Sequence, residues 1–391
     1  MKYSFLTSSY LFLLVALSLN CAAQDLEVAK KSINIYQLPS IQRSIIAEGG
    51  GFFPILNQLG DNLFTVYRTG SGHLGKTGAL SYSISDVTGI NWSAAQDIVN
   101  SSMDDRNPAV AVLPGNRIVV GYHEQSSYKE DGTYNPTLKK SRCMITWSDD
   151  QGTTWSSPKP LGIPGMKSYS PYGRIIRLQD GTLLMNVYGA YTKKVPLMEN
   201  QRSSYRSYAY LVRSKDNGET WGDPSLILPN HNETAIYLLP DNALLAASRD
   251  GAGMQRLDSC ISKDMGRTWS SPLRITGRKQ HPADLLQLSN GWLLLLYGDR
   301  SGSDNRVIRG VISRNNGHAW DISYDIVFSR PVRGDFGYPS GLLLPNGNLA
   351  ITYYSAGAAK NAYDGTQAKA LLVQCKESDL IEAYSDLIKK K

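Results

Sequence analysis

The eight residues "SKDNGETW" (214–221) recur almost unchanged elsewhere in the chain. The same pattern, Ser-x-Asp-x-Gly-x-Thr-Trp, is found in "SDDQGTTW" (148–155) and "SKDMGRTW" (262–269), and looser copies are "SISDVTGINW" (83–92) and "SRNNGHAW" (313–320). Asp and Gly favour a tight turn, Ser and Thr side chains bond the backbone within it, and Trp packs the turn against a neighbour. The repeat therefore predicts a recurring structural turn and not a catalytic loop.

The spacing of this repeat indicates a modular β fold. Its tryptophans fall at positions 92, 155, 221, 269 and 320, so successive gaps are 63, 66, 48 and 51 residues, the size of a four-stranded antiparallel unit. Six hairpin patterns alternate with the copies, each with two apolar strands around a turn rich in Gly, Asn or Asp, as in "ETAIYLLPDNALLAASR" (233–249). We therefore predict an all-β chain folded as a six-bladed β-propeller of four-stranded antiparallel blades.

A single domain is expected to hold the whole propeller, over residues 24–391 with blades at about 45–375. The last blade, about 338–375, has no copy of the eight-residue turn. We expect a strand near 33–37 to complete it, because closing the ring removes exposed sheet edges. We also expect a monomer.

The N-terminus has the pattern of a signal peptide over residues 1–23. Lys2 precedes the apolar run "FLTSSYLFLLVALSL" (5–19), which is too short to span a bilayer stably. Cys21 follows as the modified cysteine of a bacterial lipoprotein would, and the alternative is cleavage after Ala23. The protein is expected to be exported to the periplasm, the outer membrane or cell surface, or the medium, and a lipid on Cys21 would be its only membrane attachment.

Composition argues against two classes of ligand. The formal charge is +7, and the Lys and Arg residues are scattered, whereas nucleic-acid binding needs a clustered basic surface. A basic balance instead suits an anionic substrate. Cys143, Cys260 and Cys375 lie far apart without metal-ligand spacing, so we expect buried thiols, no metal and no cofactor.

The repeated turns resemble the Asp boxes of the sialidase (neuraminidase) superfamily, also called BNR repeats, over about residues 45–375. That resemblance implies a six-bladed propeller with a central active site, away from the boxes. It also implies an exo-glycoside hydrolase acting on a glycan or oligosaccharide.

Three residues match the catalytic pattern of that family. Glu233, which begins one of the hairpins, resembles the Glu that activates a tyrosine nucleophile, and Arg249, sixteen residues later, resembles an arginine that binds the substrate carboxylate. Tyr338 in "FGYPSGLLLPNG" resembles the nucleophile itself. A phenol with a pKa of about 10 needs a base to take its proton. A neutral nucleophile suits an anionic sugar, which a carboxylate would repel.

Aligning the six hairpins on the Leu before each turn places polar side chains at equivalent positions of the innermost strands. These positions hold Phe53, Asn107, Tyr172, Glu233, Pro282 and Tyr338, and two residues further on they hold Arg174 and Asp284. Residues at equivalent positions of a propeller converge on its centre, so Tyr172 and Arg174 are candidate substrate ligands and His281 and Asp284 candidate rim residues. Tyr122 and Tyr188 would complete the wall. The alternative for each is ordinary strand packing.

The sequence departs from the family at one arginine of the expected three. The family's first arginine is replaced in "GFFP" by Phe52. Arg68, at the end of the next strand, is the candidate to reach the same pocket. The candidate for the third arginine is Arg306, with Arg300 and Arg309 as competitors.

The general acid that the resemblance implies is missing too. Sialidases use an Asp in a loop before the first box, and the corresponding loop here, "RTGSGHLGKTGALS" (68–81), has no Asp. His73 in this loop is a candidate, since imidazole transfers protons near neutral pH. Asp105 in "MDDRNPA" is another, with Arg106 beside it as a candidate ligand, and the alternative is a turn with a surface ion pair.

Together these features predict an exported hydrolase that removes sialic acid or a related uronate or deoxy sugar with retention of configuration. Two alternatives remain: a histidine-dependent polysaccharide lyase or rhamnosidase on the same fold, and a non-catalytic glycan-binding propeller.

Overall fold

The computed structural model describes residues 31–138, 140–163, 166–191, 207–251, 253–302, 306–332 and 334–389. The predicted signal peptide and Cys21 lie outside the described residues. The first strands are β1 (Lys31–Asn34), β2 (Gln42–Glu48), β3 (Phe52–Leu59), β4 (Asn62–Thr69), β5 (Ala79–Asp86), β6 (Gln96–Val99), β7 (Asp104–Val112), β8 (Ile118–Gln125), β9 (Ser141–Ser148), β10 (Lys159–Pro160), β11 (Met166–Arg177), β12 (Leu183–Tyr191) and β13 (Tyr208–Ser214).

The remaining strands are β14 (Gly222–Pro229), β15 (His231–Leu238), β16 (Leu244–Asp250), β17 (Leu257–Ser262), β18 (Leu273–Arg274), β19 (Gln280–Gln287), β20 (Leu293–Asp299), β21 (Val307–Ser313), β22 (Tyr324–Val327), β23 (Phe336–Leu343), β24 (Asn348–Ser355) and β25 (Lys369–Lys376). Short 3-10 turns occur at Ile35–Gln37 and Pro136–Leu138, and the helix α1 (Glu377–Lys389) follows the last strand. Among the described residues, no helix is long and apolar enough to span a membrane.

The predicted six-bladed, all-β propeller is confirmed. Blades one to five are β3–β6, β7–β10, β11–β14, β15–β18 and β19–β22, each built from four consecutive antiparallel strands. Blade six has the strand order β23, β24, β25, β2 from the inside outwards. Blades two and three are also joined near the axis, where Gly173 pairs with Ala109 in parallel.

The prediction that a strand near residues 33–37 completes the last blade was wrong. Blade six is completed by β2, which pairs antiparallel with β25, whereas β1 pairs in parallel with β22 at the outer edge of blade five. The reason is connectivity: only residues 49–51 separate β2 from the innermost strand of blade one, so the chain passes directly from the outside of one blade to the inside of the next.

The core consists of one apolar cluster between each pair of neighbouring blades. The cluster between blades five and six also receives Leu380 and Tyr384 from α1. Cys143, Cys260 and Cys375 are buried free thiols within these clusters, as predicted.

The Asp boxes join the third and fourth strands of their blades. In the box at 262–269, the Ser262 hydroxyl donates to Asp264 (2.7 Å) and accepts from the Gly266 N–H (2.8 Å), and Asp264 accepts from the Thr268 N–H (2.9 Å). Gly266 has φ +81°, and a Cβ there would overlap Leu211 of the preceding blade. The boxes therefore hold each hairpin turn against the preceding blade, remote from the axis.

Candidate active site

A β-bulge in every innermost strand shapes the centre of the propeller. The pairing of each such strand with its neighbour shifts between residues 52 and 55, 106 and 109, 172 and 176, 231 and 234, 280 and 283, and 337 and 340. Bulges re-aim side chains and accept proline, which has no N–H for the ladder. Four of the bulges contain an X-Pro pair, at Phe53-Pro54, Asn107-Pro108, His281-Pro282 and Tyr338-Pro339.

The backbone at three of these bulges is strained. Phe53, Asn107 and Tyr338 have φ values of 56°, 50° and 51°, in a region that residues other than glycine rarely adopt. Such conformations persist where the surrounding structure enforces them, and they concentrate at functional sites. The strain here coincides with the convergence of side chains on the propeller axis.

Tyr338, Glu233 and Arg249 form a hydrogen-bonded triad at this centre. The Tyr338 hydroxyl donates to Oε1 of Glu233, and Arg249 Nη1 donates to the other carboxylate oxygen at 2.7 Å. Burial raises the pKa of Tyr338 well above its usual value, and the Glu233 charge adds to this. Burial alone would lower the pKa of Arg249, but Glu233 raises it, so the guanidinium remains charged. A neutral phenol thus faces a carboxylate that can accept its proton.

Aromatic rings surround the phenol. Phe53, Tyr354 and Tyr172 lie with ring centres 4.7, 5.9 and 6.0 Å from that of Tyr338. The Tyr172 hydroxyl donates to the carbonyl of Ala283 at 2.7 Å, which fixes its ring against Tyr338. Tyr172 is therefore part of the wall, whereas Tyr122 is buried in the core between blades one and two.

Arg300 is the second arginine beside Tyr338. Its guanidinium carbon lies 5.9 Å from the centre of the Tyr338 ring, and Nη1 donates to the carbonyl of His281 at 2.8 Å. Arg306 instead bonds backbone carbonyls away from the triad, and Arg309 pairs with two aspartates within blade five. The geometry thus replaces Arg306 by Arg300 as the candidate carboxylate ligand.

His281 is close enough to Arg249 and Arg300 for the charges of both to affect its pKa. Burial lowers its pKa strongly, and the charges of Arg249 and Arg300 lower it further. His281 is therefore a neutral imidazole in this site.

His73 and Asp335 form a second polar group next to the triad. Nδ1 of His73 lies 2.6 Å from Oδ2 of Asp335, which also accepts a hydrogen bond from the Tyr354 hydroxyl at 2.6 Å. The Phe53 ring lies 5.0 Å from the His73 ring and 4.7 Å from the Tyr338 ring, so His73 and Tyr338 border the same aromatic side chain. Burial lowers the pKa of His73, and Asp335 opposes this effect. Burial by contrast raises the pKa of Asp335, but His73 holds it well below its usual range.

Arg68 and Asp105 do not face the pocket, contrary to prediction. The Arg68 side chain is 0% exposed, and its Nη2 pairs with Asp104 Oδ1 at 2.7 Å. Asp105 is also fully buried, and it accepts hydrogen bonds from the N–H and hydroxyl of Ser101 at 2.8 and 3.0 Å. Burial raises the pKa of Asp105 to about 6. Neither side chain contacts the Tyr338 triad in the described structure.

Arg174 and Asp284 lie further along the channel, inside the ring of innermost strands and not at its rim. Arg174 Nη1 donates to the carbonyl of Leu56 at 2.7 Å, and Nη2 lies 3.3 Å from Asp284. Asp284 in turn accepts from the N–H of Gly341 at 2.8 Å. These two residues therefore connect the innermost strands of blades one, three, five and six.

A cavity of about 410 Å³ adjoins the site on the side of blades two and three. Its lining includes His73 and Arg106, and Arg106 also lies over the Phe53 ring at 5.4 Å. The other side chains are mostly uncharged and polar: Asn107, His123, Gln125, Ser127, Tyr134, Ser141, Ser168, Ser170, Tyr188 and Ser207. Burial lowers the pKa of His123 to about 3, so this ring is neutral. The cavity offers neutral hydrogen-bonding groups, as saccharide sites do.

Sequence reasoning missed the roles of Phe53, Asp335 and Tyr354. The hairpin alignment had already placed Phe53, Asn107 and Tyr338 at equivalent positions, and the proline that follows each of them was a usable signal for the bulges. Asp335 has no comparable signal, since its partner His73 is 262 residues away.

Comparison with known proteins places the chain among sialidase relatives. It is 27% identical over 208 residues to a sialidase of Clostridium perfringens (49% of this chain, 47% of that protein). It is 34% identical over 137 residues to a sialidase of Paraclostridium sordellii (32% and 31%). The matched segments thus span less than half the length of these relatives.

Solved structures share the fold at low identity. A protein of unknown function from Dyadobacter fermentans superimposes with a TM-score of 0.67 at 19% identity, over 87% of this chain and 100% of that one. The sialidase of Trypanosoma rangeli with the inhibitor DANA gives a TM-score of 0.64 at 14% identity, over 90% of this chain and 62% of that one.

The family described as the BNR repeat-like domain matches residues 61–351 of this chain. Because this match covers well over half of the chain, the protein belongs to the BNR repeat-like domain family and has sialidases among its relatives.

Proposed function

We propose that the protein is an exported exo-glycoside hydrolase that removes a terminal acidic sugar from glycans, with retention of configuration. The observation that carries this proposal is the hydrogen bond from Tyr338 to Glu233, whose second oxygen is held by Arg249. A phenol, a base and a fixed cation in one buried site are the parts that a tyrosine nucleophile requires. Export rests on the signal-like residues 5–19.

In the first step Glu233 takes the phenolic proton while the Tyr338 oxygen attacks the anomeric carbon. The bond from that carbon to the leaving oxygen breaks, and His73 gives this oxygen a proton. In the second step His73 takes a proton from water, whose oxygen attacks the anomeric carbon and releases Tyr338. Glu233 then returns the proton. Two displacements at one carbon give overall retention.

The substrate class follows from the charges near the phenol. Arg300 and Arg249 lie beside Tyr338, which favours a sugar carboxylate there, and a neutral nucleophile avoids repelling it. Phe52 stands where the resemblance to sialidases places a further arginine. Because one arginine of the sialidase pattern is replaced, the candidates are sialic acid and related uronates or deoxy sugars.

The His73–Asp335 pair favours one other candidate function. A histidine oriented by a carboxylate is also what elimination chemistry in a polysaccharide lyase, or hydrolysis by a rhamnosidase, would use. In either case His73 is the main catalyst and Tyr338 is dispensable.

One experiment separates these possibilities. The purified protein is incubated with sialyl, uronyl and rhamnosyl oligosaccharides, and products are analysed by mass. Release of an intact acidic sugar by the wild type, lost in Tyr338→Phe, supports the proposal. A product lighter by one water indicates a lyase, and activity retained in Tyr338→Phe contradicts the tyrosine mechanism. Binding without any product would indicate a glycan-binding propeller.

A further inference from the structure

Arg68 lies directly under the loop that carries His73, residues 70–78, and bonds to it repeatedly. Its Nη1 donates to the carbonyls of Ser71 (3.3 Å) and Gly72, and its Nη2 donates to the carbonyl of Gly75 at 3.2 Å. Three carbonyls of one loop thus converge on one buried guanidinium. A planar group with five donors is suited to such a task, and a lysine is not.

Asp104 and Tyr128 complete this arrangement from blade two, Asp104 at the start of β7 and Tyr128 in the connection between β8 and β9. Asp104 Oδ1 accepts from Arg68 Nε (3.0 Å) and Nη2 (2.7 Å), and its other oxygen accepts from the Tyr128 hydroxyl. The Tyr128 oxygen in turn accepts from the Gly75 N–H at 2.9 Å. A Cβ at Gly78 would overlap both Asp104 and Arg68, so the loop passes directly over the ion pair.

The opposite side of the same loop is held by blade six. The Gly72 N–H donates to the carbonyl of Tyr363 at 3.1 Å, and the Leu74 N–H donates to that of Ala362 at 2.8 Å. The residue between these two anchors is His73. Its side chain therefore projects from a segment that is hydrogen-bonded on both flanks and from below.

Stability alone is a weak reason for this arrangement. Burying an arginine and an aspartate costs desolvation free energy that their attraction only partly offsets, and well-packed apolar residues often stabilise as much. The hydrogen bonds from Arg68 and Tyr128 end on the backbone of one loop, so their specific effect is on its position. Misplacing a catalytic group by about 1 Å costs about 100-fold in rate.

We propose that Arg68, Asp104 and Tyr128 are positioning residues that hold loop 70–78 so that His73 meets Asp335 and borders the same site as Tyr338. This inference rests on the proposed function, in which His73 protonates the leaving oxygen. It assigns Arg68 a role that requires no contact with substrate.

The test compares two leaving groups in the Tyr128→Phe variant. A sugar alcohol needs a proton to leave, whereas a nitrophenolate does not. We expect kcat to fall about 10- to 100-fold on the oligosaccharide and less than about threefold on the nitrophenyl glycoside of the same sugar. Arg68→Lys should also lower kcat more on the oligosaccharide than on the nitrophenyl glycoside, and the loss on the oligosaccharide should be larger than in Tyr128→Phe. Equal losses on both substrates would overturn the proposal.

The matched control is Tyr67→Phe. Tyr67 is also fully buried, and its hydroxyl lies 2.6 Å from the Ser83 hydroxyl, without contact with the loop. Its removal should leave the ratio of the two kcat values unchanged.

Amide hydrogen exchange of residues 70–78 gives a readout independent of activity. Exchange should be faster in Tyr128→Phe than in the wild type and in Tyr67→Phe, and an unchanged rate would overturn the positioning role. If the wild type hydrolyses neither substrate, the proposed function fails, but the exchange measurement still decides whether these residues hold the loop.

Discussion

The guanidinium carbon of Arg300 lies 5.9 Å from the centre of the Tyr338 ring. Carbonyl oxygens of His281 and Phe336 fix the guanidinium there, and Oδ1 of Asp335 lies 3.8 Å from its Nη2. Arg300 thus supplies positive charge beside the candidate nucleophile from blade five, while Arg249 supplies it from blade four. An acidic sugar bound over Tyr338 would be attracted by both.

Replacing Arg300 should therefore weaken substrate binding. We expect Arg300→Gln to raise KM for an acidic glycoside about 10- to 100-fold, the range of a charge-assisted hydrogen bond, with a smaller change in kcat. Arg306→Gln is the control, because the Arg306 side chain bonds the backbone carbonyls of Gly302 and Gly334 in the described structure. Steady-state kinetics of both variants provide the measurement. If KM rose in Arg306→Gln and not in Arg300→Gln, Arg306 would be the carboxylate ligand, as the sequence first predicted.

Removing the base should have a large effect on the rate. Glu233→Gln keeps the shape of the side chain but cannot take the Tyr338 proton, so kcat/KM should fall by about 100- to 10,000-fold. Asp105→Asn is a matched control, since it changes a carboxyl group that is also buried but is bonded to Ser101. Its activity should remain within about threefold of the wild type. Full activity in Glu233→Gln would exclude the proposed mechanism.

The pH dependence of kcat/KM should follow the protonation of His73. A general acid acts in its protonated form, and burial lowers the pKa of His73 below the usual value of about 6.5. We therefore expect kcat/KM to fall as pH rises through this lowered pKa, which gives an acidic optimum. Asp335 raises the pKa of His73, so Asp335→Asn should move this decline to still lower pH. A decline at the same pH in both proteins would show that a different group is the acid.

The fold could be predicted because its signal is repeated and local. Each Asp box is closed by hydrogen bonds between residues two to four positions apart, such as those joining Ser262, Asp264 and Thr268, so a short motif suffices to identify it. The closing strand is a different problem. Which of β1 and β2 joins blade six depends on the connection to β3 and not on composition.

The candidate site could be predicted only in part. The sequence identifies Glu233, Arg249 and Tyr338 by a motif and by their spacing along the chain. Arg68 was wrongly predicted to face the pocket, because arginine is seldom fully buried and its partner Asp104 is on another blade. Asp105 illustrates a second difficulty. Neighbouring residues of a strand face opposite sides, so the carboxylate that reaches Arg68 and Arg106 belongs to Asp104, one residue earlier.

The glycine of an Asp box is predicted to matter for stability and not for catalysis. Gly266 and Gly291 both occupy hairpin turns with positive φ, +81° and +85°, but only at Gly266 would a Cβ overlap the preceding blade. Alanine in the left-handed region costs about 1 to 2 kcal/mol. At Gly266 the contact with Leu211 should add about 1 to 3 kcal/mol, as overpacking does.

Denaturant unfolding should therefore show a larger loss of stability for Gly266→Ala than for Gly291→Ala. Both variants should keep wild-type kcat under conditions where they remain folded, because neither glycine lies near Tyr338. Equal losses would mean that the box glycine serves only its own turn. A greater loss at Gly266 would mean that the box also fixes the contact between blades, and so the relative placement of the innermost strands that bring Glu233 to Tyr338.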